Sequence, residues 1–240
     1  MWPKRFQPAE AAKEAVDAAK AAVGDRLLAA ALYGSAARGE FDLAHSDLNI
    51  AFVFTTLGTA ELEALRHAHR TWAQRRVVRP LLLARTSFEQ SLDTFPLEYL
   101  LLREWHRPLH GPDLFGTIRV ERAPLRIQVE RVLRAQEMGL AVSYVALAHT
   151  PTGARHWASQ ASRAIGASAS GLLHLVGETI PSNRRDLAER CVERFGVDRE
   201  ALLALITRDP SRPRLEATRL LESARLLVER LLATAEQLDR

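Results

Sequence analysis

Cysteine is nearly absent. Cys191 is the single one in 240 residues, so no internal disulfide and no cysteine-rich zinc site can form. It lies within a helical pattern and is expected to be a buried helix residue rather than a reactive thiol. Aromatic residues are scarce at 6%, which points to a core of Leu, Ala and Val and makes a helix-rich chain the first expectation. Long apolar runs are missing too. The longest, Leu27–Leu32 and Leu97–Leu102, fall far short of the ~20 residues that cross a bilayer, and the amino terminus lacks the apolar stretch of a signal peptide. No membrane association and a cytoplasmic location are therefore expected. Charge of one sign does not dominate: 33 basic against 29 acidic side chains leave a formal net charge of +4. An excess this mild, spread along helical patterns, reads as solvated faces and indicates no specific nucleic-acid partner.

With 47% hydrophobic and 26% charged residues, the chain is long enough for one large domain or two small ones, and its texture changes near residue 122. Before that point, Pro8–Val23 reads as an amphipathic helix closed by Gly24. Arg26–Tyr33 reads as a short apolar strand. Gly34 breaks it, and Ser35–Arg38 suits a tight turn or the first turn of a short helix. Asp47–Phe54 suits a buried strand. Thr59–Arg75 follows as a helix with Leu62, Leu65 and Trp72 on one face, and Val77–Ala84 as a third strand. Thr86 or Ser87 is the candidate cap of a short helix that Pro96 interrupts. Leu97–Trp105 suits either helix or strand, and Arg107–His110 a final edge strand.

From about Pro124 strand signals vanish. Two long helical patterns join near Pro151-Thr152-Gly153. Asn183–Phe195 ends at Gly196, Asp198 caps another short helix, and Leu215–Leu238 carries leucines at helical spacing. About four or five helices bury such stripes by forming a bundle. The expected class is α+β with α/β character: a small mixed-sheet domain over residues 1–122, then an all-α helical bundle over residues 123–240.

One stretch carries chemistry, "LYGSAARGEFDLAHSDLNIAFVF", from Leu32 to Phe54. Gly34 permits a sharp turn and lets backbone approach a phosphate. Ser35 and the amides after it can donate hydrogen bonds at a helix start that carries roughly half a positive charge. Ser46 follows Ser35 by eleven positions and opens Ser46-Asp47-Leu48-Asn49. On a strand, residues two apart face the same side, so Asp47 and Asn49 are expected to project together towards the turn.

This combination resembles the signature of the polymerase-beta-type nucleotidyltransferase superfamily. There, Gly-Ser after the first strand is followed at a comparable gap by Asp-x-Asp or Asp-x-Glu on the second. Ala37-Arg38-Gly39 also matches the G-S-x-A-R-G form of small bacterial members. The resemblance implies a nucleoside triphosphate held by Gly34, Ser35, Arg38 and Ser46, with Asp47 as the catalytic residue on magnesium. It implies transfer of a nucleoside monophosphate to a hydroxyl of a small-molecule or protein acceptor. The helical half resembles, in architecture only, the bundles attached to small nucleotidyltransferases, including aminoglycoside-modifying enzymes, where a cleft holds the acceptor. An RNA-cleaving bundle of the HEPN type is discounted, because no arginine in residues 124–240 has a histidine at the required downstream spacing.

The chain departs from the pattern at Asn49. In an active member, paired acids hold magnesium ions about 3.5–4 Å apart, and Asn49 as a metal ligand offers only a neutral carbonyl. Unit charges 4 Å apart interact by ~4 kcal/mol at an effective dielectric of 20, so metal binding should weaken by orders of magnitude. The later strand "VVRPLLLA" holds Arg79 and no acid. Glu98, Glu104 and Asp42 are the candidate third carboxylates. Glu98 leads as a candidate catalytic residue, since a carboxylate in the apolar run "FPLEYLLL" needs a partner or a metal; pairing with an arginine is the other reading. Arg38 either contacts a phosphate or pairs with Glu40 or Asp42. His45 is expected in a solvated loop, His67 and His69 on a helix surface, and Trp105, His106 and His110 in packing or at a domain junction. Three functions stay open: a nucleotidyltransferase, a catalytically silent nucleotide-binding protein, and a protein-binding scaffold, with homo-oligomerisation possible in each.

Overall fold

The computed structural model describes residues 6–43, 46–147, 151–206 and 217–238. His45 and residues 215–216 lie outside them. The chain forms two compact units, one from Met1–Thr94 with Tyr99–Val120, the other from Phe95–Glu98 with Glu121–Arg240.

In the first unit, α1 (Pro8–Val23) leads into β1 (Leu27–Tyr33), the one-turn helix α2 (Ser35–Arg38), β2 (Asn49–Phe54) and α3 (Thr59–Gln74). The chain continues through β3 (Leu81–Ala84), α4 (Arg85–Gln90), α5 (Pro96–Glu104) and β4 (His106–His110). The sheet order is β3-β2-β1-β4. β1 runs antiparallel to both β2 and β4, and β2 runs parallel to β3. The sheet is therefore mixed, as expected.

Both sheet faces are covered, which is why β1 and β2 read as unbroken apolar runs. On one face Ala30, Leu32, Ile50 and Phe52 pack with Ala15 and Ala19 of α1 and Leu65 and Trp72 of α3. Trp72 donates its indole N–H to the Ala15 carbonyl at 2.9 Å and stacks on Phe52 at 5.3 Å. On the other face Ala29, Ala31, Ala51 and Val53 pack with Phe88, Tyr99, Leu102 and Phe115. The alanines of β1 keep the sheet thin enough for large rings to close over it. Burying each such ring is worth roughly 1.5–3 kcal/mol.

Four expectations need correcting. The face of α3 that is buried runs Glu61, Leu65, Ala68, Trp72, and Leu62, one residue round the helix from Glu61 and so turned by about 100°, is exposed. The third strand begins only at Leu81, since Pro80 lacks the N–H that a ladder needs. Thr86 and Ser87 lie inside α4, whose N-cap is Ala84 without a side-chain bond. Pro96 does not interrupt a helix but opens α5, where its missing N–H is no loss. α5 also settles Leu97–Glu104 as helix, with Trp105 in the turn before β4.

The second unit contains α6 (Arg122–Leu147), α7 (Pro151–Leu175), α8 (Arg184–Phe195), α9 (Arg199–Ile206) and α10 (Ala217–Gln237). Leu125, Leu133, Ile165, Leu172, Leu202 and Leu231 are fully buried. Asn183 caps α8 by accepting the Asp186 N–H at 2.8 Å, and Asp198 caps α9 by accepting the Ala201 N–H at 2.6 Å. Cys191 is buried on α8, and burial pushes its thiol up to about 12. No helix among the described residues is long and apolar enough to cross a membrane.

Candidate functional site

β1 ends at Tyr33, and Gly34 takes φ 73°, a left-handed backbone that side-chain-bearing residues avoid. The chain then winds through α2, with the Arg38 N–H on the Gly34 carbonyl at 3.1 Å and the Glu40 N–H on the Ser35 carbonyl at 2.8 Å. Asn49 leans directly on this turn. A β-carbon added to Gly34 would stand 2.6 Å from Asn49 Nδ2, so a side chain there would displace the Asn49 amide as well as strain φ.

The sheet register pairs Tyr33 with Asn49 on one side and with His106 on the other. Directly paired residues share a face, so Asn49, Tyr33 and His106 form a row across the end of the sheet beside the glycine turn. Burial pushes the Tyr33 phenol above its ordinary value. His106 is held at both ring nitrogens, Nε2 to Asp113 Oδ1 at 2.9 Å and Nδ1 to the Arg103 carbonyl at 3.0 Å, and its ring lies against Phe115. Partial burial works to raise the Asp113 carboxyl. The Gly116 N–H and His106 outweigh it and hold the group below the ordinary aspartate range.

Asp47 lies two residues ahead of β2 and is exposed, whereas Leu48 is fully buried. The loop before it is closed by Ser46, whose N–H donates to the Asp42 carbonyl at 2.7 Å and whose Oγ accepts the Asp42 N–H at 3.1 Å. The Ser46 hydroxyl thus shapes the loop. On the other side of Asp47 stands Arg76. Its carbonyl accepts the Leu48 N–H at 2.9 Å, and its Nε donates to the Ser46 carbonyl at 3.2 Å.

Of the two readings for Arg38, pairing is the one observed. Its Nη2 lies 3.2 Å from Glu40 Oε2, and its guanidinium sits 5.1 Å above the Trp105 ring. The buried Nε has no hydrogen-bond partner. Trp105 is therefore a cation–π platform for Arg38.

Glu98 is exposed at the start of α5 and belongs to the second unit. It accepts from Gln128 Nε2 at 2.6 Å, while Gln128 Oε1 accepts the Leu97 N–H at 2.7 Å. Its partner is an amide rather than an arginine. Glu104 accepts from Arg103 at 2.6 Å. Arg79, His67 and His69 are exposed, and His110 is half-buried on β4 opposite Ala30.

The donor set does not fit a two-ion magnesium cradle. Along Ser46–Asn49 it comprises one carboxylate, Asp47, and one neutral amide, Asn49, while the Glu40 carboxylate beside the turn pairs with Arg38. Among the described residues, no group of three or more His, Cys, Asp or Glu side chains could hold a metal ion. Magnesium is commonly bound through one or two carboxylates plus substrate phosphates; Asp47 would be the carboxylate offered to a single ion, and Asn49 would add no charge.

Tyr33, Arg76 and the His106–Asp113 pair were not singled out as site residues in the sequence. Position next to Gly34 could have marked Tyr33. Nothing in the local sequence marks Arg76, which reaches Ser46 only through the fold.

No family model matches the chain, and no curated protein matches it in sequence. Among solved structures, spectinomycin adenyltransferase AAD(9) from Enterococcus faecialis, determined with ATP and spectinomycin, is similar to it. The match has a TM-score of 0.55 at 12% identity and covers 95% of this chain and 98% of that chain. At that identity the likeness is one of fold: a mixed four-stranded sheet with helices, followed by a helical region, is shared with that adenyltransferase.

Proposed function

We propose that the first unit binds a nucleoside triphosphate, with the phosphates on the Gly34–Ser35 turn, and that the chain transfers the nucleoside monophosphate to a hydroxyl of a small-molecule acceptor. The observation that carries this reading is the turn itself. Gly34 presents backbone without a β-carbon, in a left-handed conformation, with Asn49 packed against it. A chain keeps such a turn where a ligand must come close to backbone amides.

The fold likeness to a protein solved with ATP and spectinomycin extends over nearly the whole chain, which supports a nucleotide and a small-molecule acceptor together. In the reaction, the acceptor oxygen bonds to the α-phosphorus as the bond to the bridging oxygen breaks. Pyrophosphate leaves, and the hydroxyl proton passes to solvent. Within the site, Gly34 and Ser35 grip the phosphates, Asp47 stands beside them, and Arg38, stacked on Trp105, holds the turn through Glu40.

A second reading, binding without transfer, is favoured by one observation: Asn49 occupies the position of the second acid and adds no charge. Calorimetric titration with ATP, GTP, CTP and UTP tests the shared part of both readings, and failure of all four to bind overturns both. Pyrophosphate release with polyhydroxylated small molecules then separates them. Release above the acceptor-free rate supports transfer, and binding without release supports the silent alternative.

A further inference from the structure

Arg76 has a positive φ of 63°, the one such value among the described non-glycine residues. It follows α3 in a Schellman-type ending: the Val77 N–H reaches back to the Trp72 carbonyl at 2.8 Å, and the Arg76 N–H to the Ala73 carbonyl at 3.2 Å. The left-handed position of this motif ordinarily belongs to glycine. A strained residue that persists where an unstrained one would serve points to a use for its side chain.

That use has two parts. The Arg76 carbonyl takes the Leu48 N–H and the Arg76 Nε reaches the Ser46 carbonyl, so the peptide groups before and after Asp47 are both anchored on one residue. In effect the guanidinium replaces the next N–H of the parallel ladder and extends strand-like pairing from β2 to Asp47. Meanwhile Nη1 and Nη2 make no hydrogen bond or ion pair among the described residues, and neither is a buried orphan. An arginine fixed through Nε alone presents the two-pronged end of its fork, the geometry that suits phosphate oxygens.

Resting on the nucleoside-triphosphate reading above, we propose that Arg76 is a triphosphate-binding residue. It supplies, beside Asp47, the positive charge that the missing carboxylate at position 49 no longer recruits as a metal ion. The chain then binds the triphosphate through a protein cation, and its affinity depends on metal only weakly.

The test is calorimetric titration of ATP into the full chain, with magnesium and with EDTA, for the wild type and for Arg76→Gln, Arg76→Lys and Arg76→Gly. The wild type is expected to bind in EDTA. Arg76→Gln and Arg76→Gly should each weaken that metal-free binding by about ten- to hundred-fold, the range of a charge-assisted hydrogen bond or two, and Arg76→Lys should recover part of the loss. Arg76→Gly accommodates the left-handed backbone and is expected to melt within a few degrees of the wild type, which keeps the result readable. EDTA also excludes a purely positioning role. Without metal, Asp47 repels phosphate, so a residue that only placed Asp47 would not lower affinity when removed.

Equal affinity of the wild type and Arg76→Gln in EDTA would overturn the proposal and leave nucleotide binding intact. Wild-type binding that requires magnesium would overturn it as well. Failure of the wild type to bind in either buffer would overturn the nucleotide reading and this inference together.

Discussion

The two units handle their difficult positions in opposite ways. In the first, the critical contacts are made by backbone in unusual conformations: Gly34 against Asn49, Arg76 around Asp47, and Gly111 against β1. In the second, positive φ among the described residues is confined to glycines next to helices, Gly177 and Gly196, and order comes from leucine and alanine volume together with side-chain caps. A sheet end that must present peptide groups to a ligand needs residues chosen for what they lack. A helical bundle needs residues chosen for what they fill.

The sharpest way to break this contrast is Gly111→Ala. A β-carbon there would lie 2.0 Å from the Leu28 carbonyl oxygen at φ 69°, a clash with backbone that no rotamer relieves. A loss of about 3 kcal/mol or more is expected in chemical denaturation, from the left-handed strain and the displaced strand together. Asn49→Asp sharpens the same contrast from the chemical side. It restores a carboxylate beside Asp47 and should strengthen magnesium-dependent ATP binding by about tenfold or more, against little change in EDTA. A titration that shows no magnesium dependence in that variant would contradict the charge argument.

In the second unit the glycine rule should reverse. Gly139 lies within α6, and an added β-carbon would find its nearest neighbour, Trp157 Nε1, at 3.8 Å. Gly139→Ala is therefore expected to stabilise by about 0.5–1 kcal/mol, read as a raised melting temperature; destabilisation would mean that the helix there is not regular. Cys191 provides a probe of the same unit. With its thiol pushed up to about 12 by burial, it should resist a disulfide exchange reagent at pH 8 in the native protein and react promptly in denaturant.

The smallest effect concerns pH. Asp113 has a folded value below its unfolded one, so its contribution is complete above about pH 4, the unfolded value, and is lost as pH falls through the folded value. Its side chain is 46% exposed, so the contribution is screened to a few tenths of a kcal/mol. Melting curves from neutral to acid pH should fall slightly more steeply for the wild type than for Asp113→Asn.

Much of this was legible in the sequence because it depended on period and punctuation. The helix Pro8–Val23, the strands around Ala30 and Phe52, and the caps at Asn183 and Asp198 follow from apolar spacing and local turn chemistry, which act over a few residues. The mixed sheet and the helical region after it follow from where strand signals stop. What escaped was decided at long range. Glu98 looked like a carboxylate in need of an arginine, but Gln128, thirty residues on, supplies an amide. Arg76 looked like one more solvated arginine at a helix end, because a left-handed φ leaves no mark on an arginine codon.

The path of the chain has a consequence for how such a protein can be inherited. It leaves the first unit after Thr94, spends Phe95–Glu98 in the second, returns until Val120 and only then departs for good. Gln128, 4% exposed, depends on that brief excursion for the Leu97 N–H it accepts. A recombination event with a single crossover near residue 120 would strand this amide, whichever gene supplied the other half. A helical part exchanged for another would keep this hydrogen bond only if its own four-residue fragment upstream came with it.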